Sequence, residues 1–258
     1  MNSYLIYNLL VAHVVADFYA QGERCCRNKY EKGLKGWGIY VHFLLVFALS
    51  WLAVWDCRFW WGSLVIAVSH LAVDALKSRI ERMEIKDEDG NPVQIRNSRW
   101  DLCVFALDQI GHLVILLFVG LWWNRTTGNS WFEIPWILGI KQTSLLVVLA
   151  VLVLMTPSNI LIKLIFQKYT IRTDRNEEKG HGSFRSGALI GSLERLIVFA
   201  FILLRQYEAI GLLVAAKSII RFSGTKESEQ SEYVLVGTLL SIALVILFGI
   251  VANQGQLF

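Results

Sequence analysis

The sequence predicts an all-α protein, a polytopic transmembrane helix bundle of about eight spans. Three observations carry that expectation. Hydrophobic residues fill 55% of the 258 positions, and mean hydropathy is +0.47. Charged residues reach only 18%, against roughly a quarter in ordinary soluble domains. Apolar runs of about 18 residues, the length needed to cross a bilayer, recur along the chain. Together these exclude a soluble globular enzyme, a disordered chain and a disulfide-stapled secreted module. The net charge of +4 is too small to argue for nucleic acid, so the expected partner is the lipid bilayer. Cys25 and Cys26 are adjacent, Cys57 and Cys103 stand alone, and no CxxC spacing occurs. Neither a disulfide frame nor a thiolate metal site is expected.

The elements follow in order. Residues 4–20 form the first apolar run; it lacks the basic leader of a signal peptide and holds His13 and Asp17, so it reads as a retained span. Residues 37–55, 59–76 and 101–123 add three more spans and complete a four-span His/Asp core, residues 1–125. Between the last two, the loop 86–100 has DG and NP turn signals and reads as a solvated excursion. Residues 126–258 form a C-terminal four-span region within the same membrane domain. Its first span, 143–166, is long and contains Pro157, which predicts a kink or break near 156–158. Residues 187–204, 208–220 and 233–251 follow, the middle one short enough to be re-entrant. Gly187 and Gly191 form a GxxxG pattern, a close-packing device between membrane helices. Trp37, Trp55, Trp60, Trp61, Trp122 and Trp123 stand near span ends and read as an interfacial belt.

Basic residues predict the orientation. Residues 21–36 hold Arg24, Arg27, Lys29, Lys32 and Lys35, and residues 77–100 hold Lys77, Arg79, Arg82, Lys86, Arg96 and Arg99. Residues 163–186 and 217–232 are similarly rich, whereas the alternate connections hold only Arg58, Arg125, Lys141 and Arg205. The positive-inside rule places the rich loops in the cytoplasm and both termini outside.

Ionisable side chains inside spans are costly to insert and are functional candidates by default. Three spans each carry a His and an Asp four residues apart: His13/Asp17, His70/Asp74 and Asp108/His112. That spacing puts both side chains of a pair on one helix face, the usual way a helix offers two ligands to one metal. The order reverses in the span of opposite direction, so every Asp lies one turn, about 6 Å, nearer the cytoplasm than its His. One Asp layer and one His layer are expected, with His42 at a similar level. The set suits a divalent ion, zinc before manganese or iron, as one or two ions. The alternative is a buried His–Asp hydrogen-bond network without metal. Glu194 reaches the depth of the Asp layer as a further ligand or general base, or simply pairs with its neighbour Arg195. Lys217 and Arg221 suit a phosphate or lipid headgroup, or snorkel to the interface. Gln21 and Gln109 stand beside the pairs and are expected to hydrogen-bond the ligands. His181, flanked by glycines, reads as solvated.

These residues lie in stretches that resemble a known family. AHVVADFYAQ (12–21), YVHFLL (40–45), SHLAVDALK (69–77) and FALDQIGHL (105–113) are similar to the bacterial inner-membrane family called domain of unknown function 3307. GALIGSLERL (187–196), AIGLLVAAKSIIRF (209–222) and EYVLVGTLLS (232–241) resemble its longer members. The resemblance implies a multi-pass bacterial inner-membrane protein whose signature is these His and Asp motifs, with no settled activity. A looser likeness, in fold style alone, is to bacterial membrane-bound metal-dependent hydrolases, whose tandem His motif is missing here.

The leading expectation is a metal-dependent hydrolase opening to the cytoplasm and acting on a lipid-like or phosphoester substrate. His13, His42, His70 and His112 with Asp17, Asp74 and Asp108 would hold the metal, and one of the Asp residues or Glu194 would serve as base. A second reading is an ion- or proton-coupled transporter using the pairs as a relay, which requires polar groups in the outer halves too. Those halves are mostly Leu, Val, Ile and Phe. A third is a membrane scaffold with a structural polar core. A homo-oligomer fits any of the three.

Overall fold

The computed structural model describes residues 3–86, 90–97, 100–127, 142–169, 181–222 and 228–254. The chain is helical: α1 (Ser3–Phe18), α2 (Glu23–Lys32), α3 (Trp37–Val54), α4 (Trp60–Glu81), α5 (Asp101–Thr127), α6 (Gln142–Tyr169), α7 (His181–Leu203), α8 (Tyr207–Phe222) and α9 (Ser228–Gln254). Each of the eight expected spans coincides with a helix. Among the described residues, five stretches are long and apolar enough to cross a membrane: Trp37–Val54, Cys57–Glu81, Asp101–Thr126, Ser144–Lys168 and Leu235–Asn253. The surface agrees with that. Leu44, Leu107 and Phe118 are 60–72% exposed, while histidines and aspartates are buried. Apolar outside and polar inside suits a lipid solvent, and this is a membrane protein.

Two compact units make up the chain, Met1–Leu149 with Leu164–Thr170, and Ala150–Lys163 with Ile171–Phe258. In the first, α1 packs on α3 and α5, and α4 packs on the same two, so the four helices close a ring. One face of each helix supplies its interior at near four-residue spacing, which keeps side chains on a single stripe. On α1 the stripe reads Leu5, Leu9, His13, Asp17; on α3 it reads His42, Val46, Ser50, Val54. On α4 it reads Ile66, His70, Asp74, Ser78, and on α5 Asp108, His112, Leu116, with Val119 and Trp123 beyond. The polar members therefore gather at one end of the ring. Leu5, Leu9, Val46, Val54, Phe59 and Trp123 belong to the apolar cluster that fills the other. Phe59 meets Trp123 edge-on, with ring centroids 5.0 Å apart. Trp123 is thus a core residue at 7% exposure, not part of the interfacial belt, whereas Trp37, Trp55, Trp60, Trp61 and Trp122 are exposed.

The basic segment after α1 is more than a loop. It contains α2, which lies tight against the start of α3: Cys25 Sγ donates to Gly38 O at 3.1 Å, and Gly38 N donates to Asn28 Oδ1 at 3.0 Å. A Cβ on Gly38 would stand 2.5 Å from Cys25 O, so glycine is what permits this approach. The loop 86–100 likewise holds one arm of a hairpin, β1 (Glu84–Lys86) paired antiparallel with β2 (Pro92–Gln94). Tyr30 of α2 bonds Gln94, and Arg96 lies over the Tyr30 ring at 4.0 Å. At the α3–α4 corner the Arg58 guanidinium grips Asp56 and holds its carboxyl below the usual carboxylate range.

In the second unit α7 packs on α8 and α9. Pro157 does not break α6, which runs unbroken as helix through 156–158. The carbonyl that Pro157 leaves without an amide partner belongs to Val153, and the Ser158 hydroxyl donates to it at 2.8 Å. The GxxxG pattern is not a packing site among the described residues: a Cβ on Gly187 would meet nothing, and one on Gly191 only Arg195. Close approach happens instead at Gly249, where a Cβ would come within 2.8 Å of Ile202.

Candidate metal centre

All seven His and Asp candidates of the ring converge. His13, His42, His70, Asp74, Asp108 and His112 are buried, and the Asp17 side chain is 11% exposed. The imidazoles form a layer: His70 stacks on His112 with centroids 3.8 Å apart, His13 lies 5.6 Å from His70 and 5.4 Å from His112, and His42 lies 4.9 Å from His70. Burying so many polar groups in a membrane bundle demands partners for them.

The three carboxylates are not equivalent. Asp17 sits among the histidines, its Oδ1 3.3 Å from His42 Nε2, 3.2 Å from His70 Nε2 and 3.8 Å from His13 Nδ1, and its Oδ2 4.0 Å from His112 Nδ1. None of the contacts to Oδ1 has hydrogen-bond geometry. Asp74 and Asp108 each meet a lysine instead: Lys29 Nζ lies 2.9 Å from Asp74 Oδ2, and Lys77 Nζ 2.9 Å from Asp108 Oδ2. Gln109 also donates to Asp108 Oδ2, at 3.1 Å. Gln21 turns away to the Cys25 sulfur. His42 Nε2 and His70 Nε2 approach to 2.9 Å, and both also face Asp74 Oδ2, at 3.4 and 3.7 Å.

Lys29 and Lys77 are the members that sequence reasoning missed, having counted both only as markers of orientation. Lys77 had a signal, since it stands three residues after Asp74 on the same turn of helix. Lys29 had none, because only the packing of α2 on the start of α3 brings it to Asp74.

The remaining candidates lie in the second unit. Lys217 pairs with Glu194, so Glu194 is not the partner of Arg195. The Arg195 guanidinium is buried among neutral acceptors, Leu154 O at 2.6 Å, Ser241 Oγ at 2.9 Å, Ser192 Oγ at 3.1 Å and Asn159 Oδ1. The side chains of Arg221 and His181 lie outside the described residues.

A family model, Protein of unknown function (DUF3307), matches residues 5–139, more than half of the chain. The chain belongs to this family. No curated protein and no solved structure matches it. The family match spans every His and Asp of the cluster together with both lysines. Its description assigns no activity, so the chemistry rests on the residues themselves.

Proposed function

We propose that the His/Asp cluster is a divalent-metal centre inside the membrane, and that the protein is a metal-dependent hydrolase of a lipid-like or phosphoester substrate. One observation carries the reading. Asp17 Oδ1, His42 Nε2, His70 Nε2 and Asp74 Oδ2 lie together, with five separations of 2.9, 3.2, 3.3, 3.4 and 3.7 Å. A tetrahedral zinc ion with bonds of 2.0–2.1 Å sets its ligand atoms about 3.3 Å apart. Imidazole with carboxylate is also the donor set that zinc, manganese and iron accept.

An ion held by these residues would lower the pKa of a bound water toward neutrality and so would supply a nucleophile. The chain's own residues would do the rest. The Asp108 carboxylate, with Oδ1 free of hydrogen bonds, is placed to take a proton. Lys29 and Lys77 put two ammonium groups beside the centre, a match for an anionic phosphoester. Asp17 Oδ1 and Asp74 Oδ2 would ligate the ion beside the two imidazoles. The polar layer sits at one end of the ring; the basic segments 21–36 and 77–100 favour the cytoplasmic side for that end, with both termini outside, and the family resemblance favours a bacterial inner membrane.

The His42–His70 contact at 2.9 Å would also suit a proton relay in an ion-coupled transporter. The apolar cluster from Leu5 to Trp123 fills the ring beyond the histidines and gives such a relay nowhere to continue.

Elemental analysis of the protein purified in detergent tests the proposal, wild type beside His70→Ala. Stoichiometric zinc, manganese or iron in the wild type, depleted in the variant, together with metal-dependent cleavage of phospholipid or aryl phosphate, is the expected result. A folded wild type that takes up no metal overturns it.

A further inference from the structure

We infer that Asp17 bridges two metal ions held side by side in the ring, an inference that rests on the metal reading above. The carboxylate faces a different ligand set with each oxygen. Oδ1 looks toward His42 Nε2 and His70 Nε2, with Asp74 Oδ2 closing that group. Oδ2 looks toward His112 Nδ1 at 4.0 Å, and the same nitrogen lies 4.0 Å from Asp108 Oδ1. Ligand atoms of His13, Asp17 and His112 all lie within 4.8 Å of one another, and those of His112, His70 and Asp74 do so too, so His112 stands where the two groups adjoin, while His13 Nδ1 lies 3.8 Å from Asp17 Oδ1.

A separate observation points to a ligand on the second side. Asp108 Oδ1, His13 Nε2 and both ring nitrogens of His112 are buried without a hydrogen bond. Buried polar atoms are ordinarily paired, so His13 Nε2 and one ring nitrogen of His112 ask for a shared partner, with Asp108 Oδ1 left beside it as the base. An ion in the first group, held by Asp17 Oδ1, His42 Nε2 and His70 Nε2 with Asp74 Oδ2 as a further donor, has few positions left for them. The second group is looser and offers fewer close contacts, which suits an ion that keeps water among its ligands, as a catalytic position requires. Bridged ions in hydrolytic sites stand about 3.5–4 Å apart and clamp both the attacking and the leaving oxygen. Three aspartates and two lysines leave the ring one negative charge; two divalent ions would exceed it, and a hydroxide with a phosphomonoester dianion would restore balance.

The experiment is a metal count on the full chain in detergent, stripped with chelator and reloaded with zinc, followed by manganese loading and electron paramagnetic resonance. The expected result is two zinc per chain in the wild type, one in His42→Ala and one in His112→Ala, with an exchange-coupled manganese pair in the wild type only. One zinc per chain in the wild type overturns the bridge while leaving the metal reading intact. No zinc overturns the metal reading itself. Two zinc with uncoupled manganese overturns the bridge as well, since the ions then lie apart. The wild-type count and spectrum are decisive without any variant, so a misfolded His112→Ala leaves the test intact.

Discussion

The Arg195 guanidinium donates from Nε to the backbone carbonyl of Leu154 at 2.6 Å, one residue after the carbonyl that Pro157 leaves without its amide. Ser158 serves Val153 in place of the missing amide, and Arg195 adds bonds to both Leu154 and Met155 beside it. An arginine in a membrane helix is usually read as a functional charge; this one is a staple between α7, α6 and, through Ser241, α9.

Arg195→Met should therefore lower stability by about 2 kcal/mol, the usual cost of leaving a buried acceptor unpaired. Pro157→Ala should leave that loss unchanged in the double variant, because the restored amide reaches Val153, which Ser158 already serves, and not Leu154 or Met155. Unfolding in mixed micelles checks both. A smaller loss in the double variant would show that arginine and proline serve each other.

Lys29 and Lys77 each neutralise a buried carboxylate. Lys29→Met should destabilise the metal-free protein by about 3 kcal/mol, since one half of a buried pair would remain uncompensated. Zinc should reduce the penalty, as the ion brings positive charge to the same cluster. Thermal midpoints measured with zinc and with chelator give the comparison; an equal penalty in both conditions would separate Lys29 from the metal centre.

Close helix packing belongs to Gly249 and not to the GxxxG pair. Gly249→Ala should cost about 1–3 kcal/mol by driving a methyl against Ile202. Gly187→Ala should be neutral or stabilising by up to about 1 kcal/mol, since alanine is the better helix former and meets nothing there. The reverse order in a refolding assay would mean that Gly187 packs against another copy of the chain.

Much of the site was legible before any fold. The four-residue spacing of His13/Asp17, His70/Asp74 and Asp108/His112 is a local signal, and a helix obeys it whatever surrounds it. The reversal of order between helices of opposite direction placed the three pairs at one depth, and the histidines do form one layer. The hairpin and α2 were not legible, because both are short polar segments with little hydrophobic pattern, secured by Tyr30, Arg96 and the glycines before α3.

By itself, then, the sequence determined the helices and which of their faces are polar, because apolar run length and helical period act within a single segment. Only the tertiary structure decided that Asp17 stands among the imidazoles while Asp74 and Asp108 face lysines. It also decided that Glu194 takes Lys217 and leaves Arg195 to neutral acceptors. Those choices depend on which helices become neighbours and how they are rotated. In a bundle whose inside and outside are both largely apolar, close packing and polar pairing set that rotation more than hydrophobicity does.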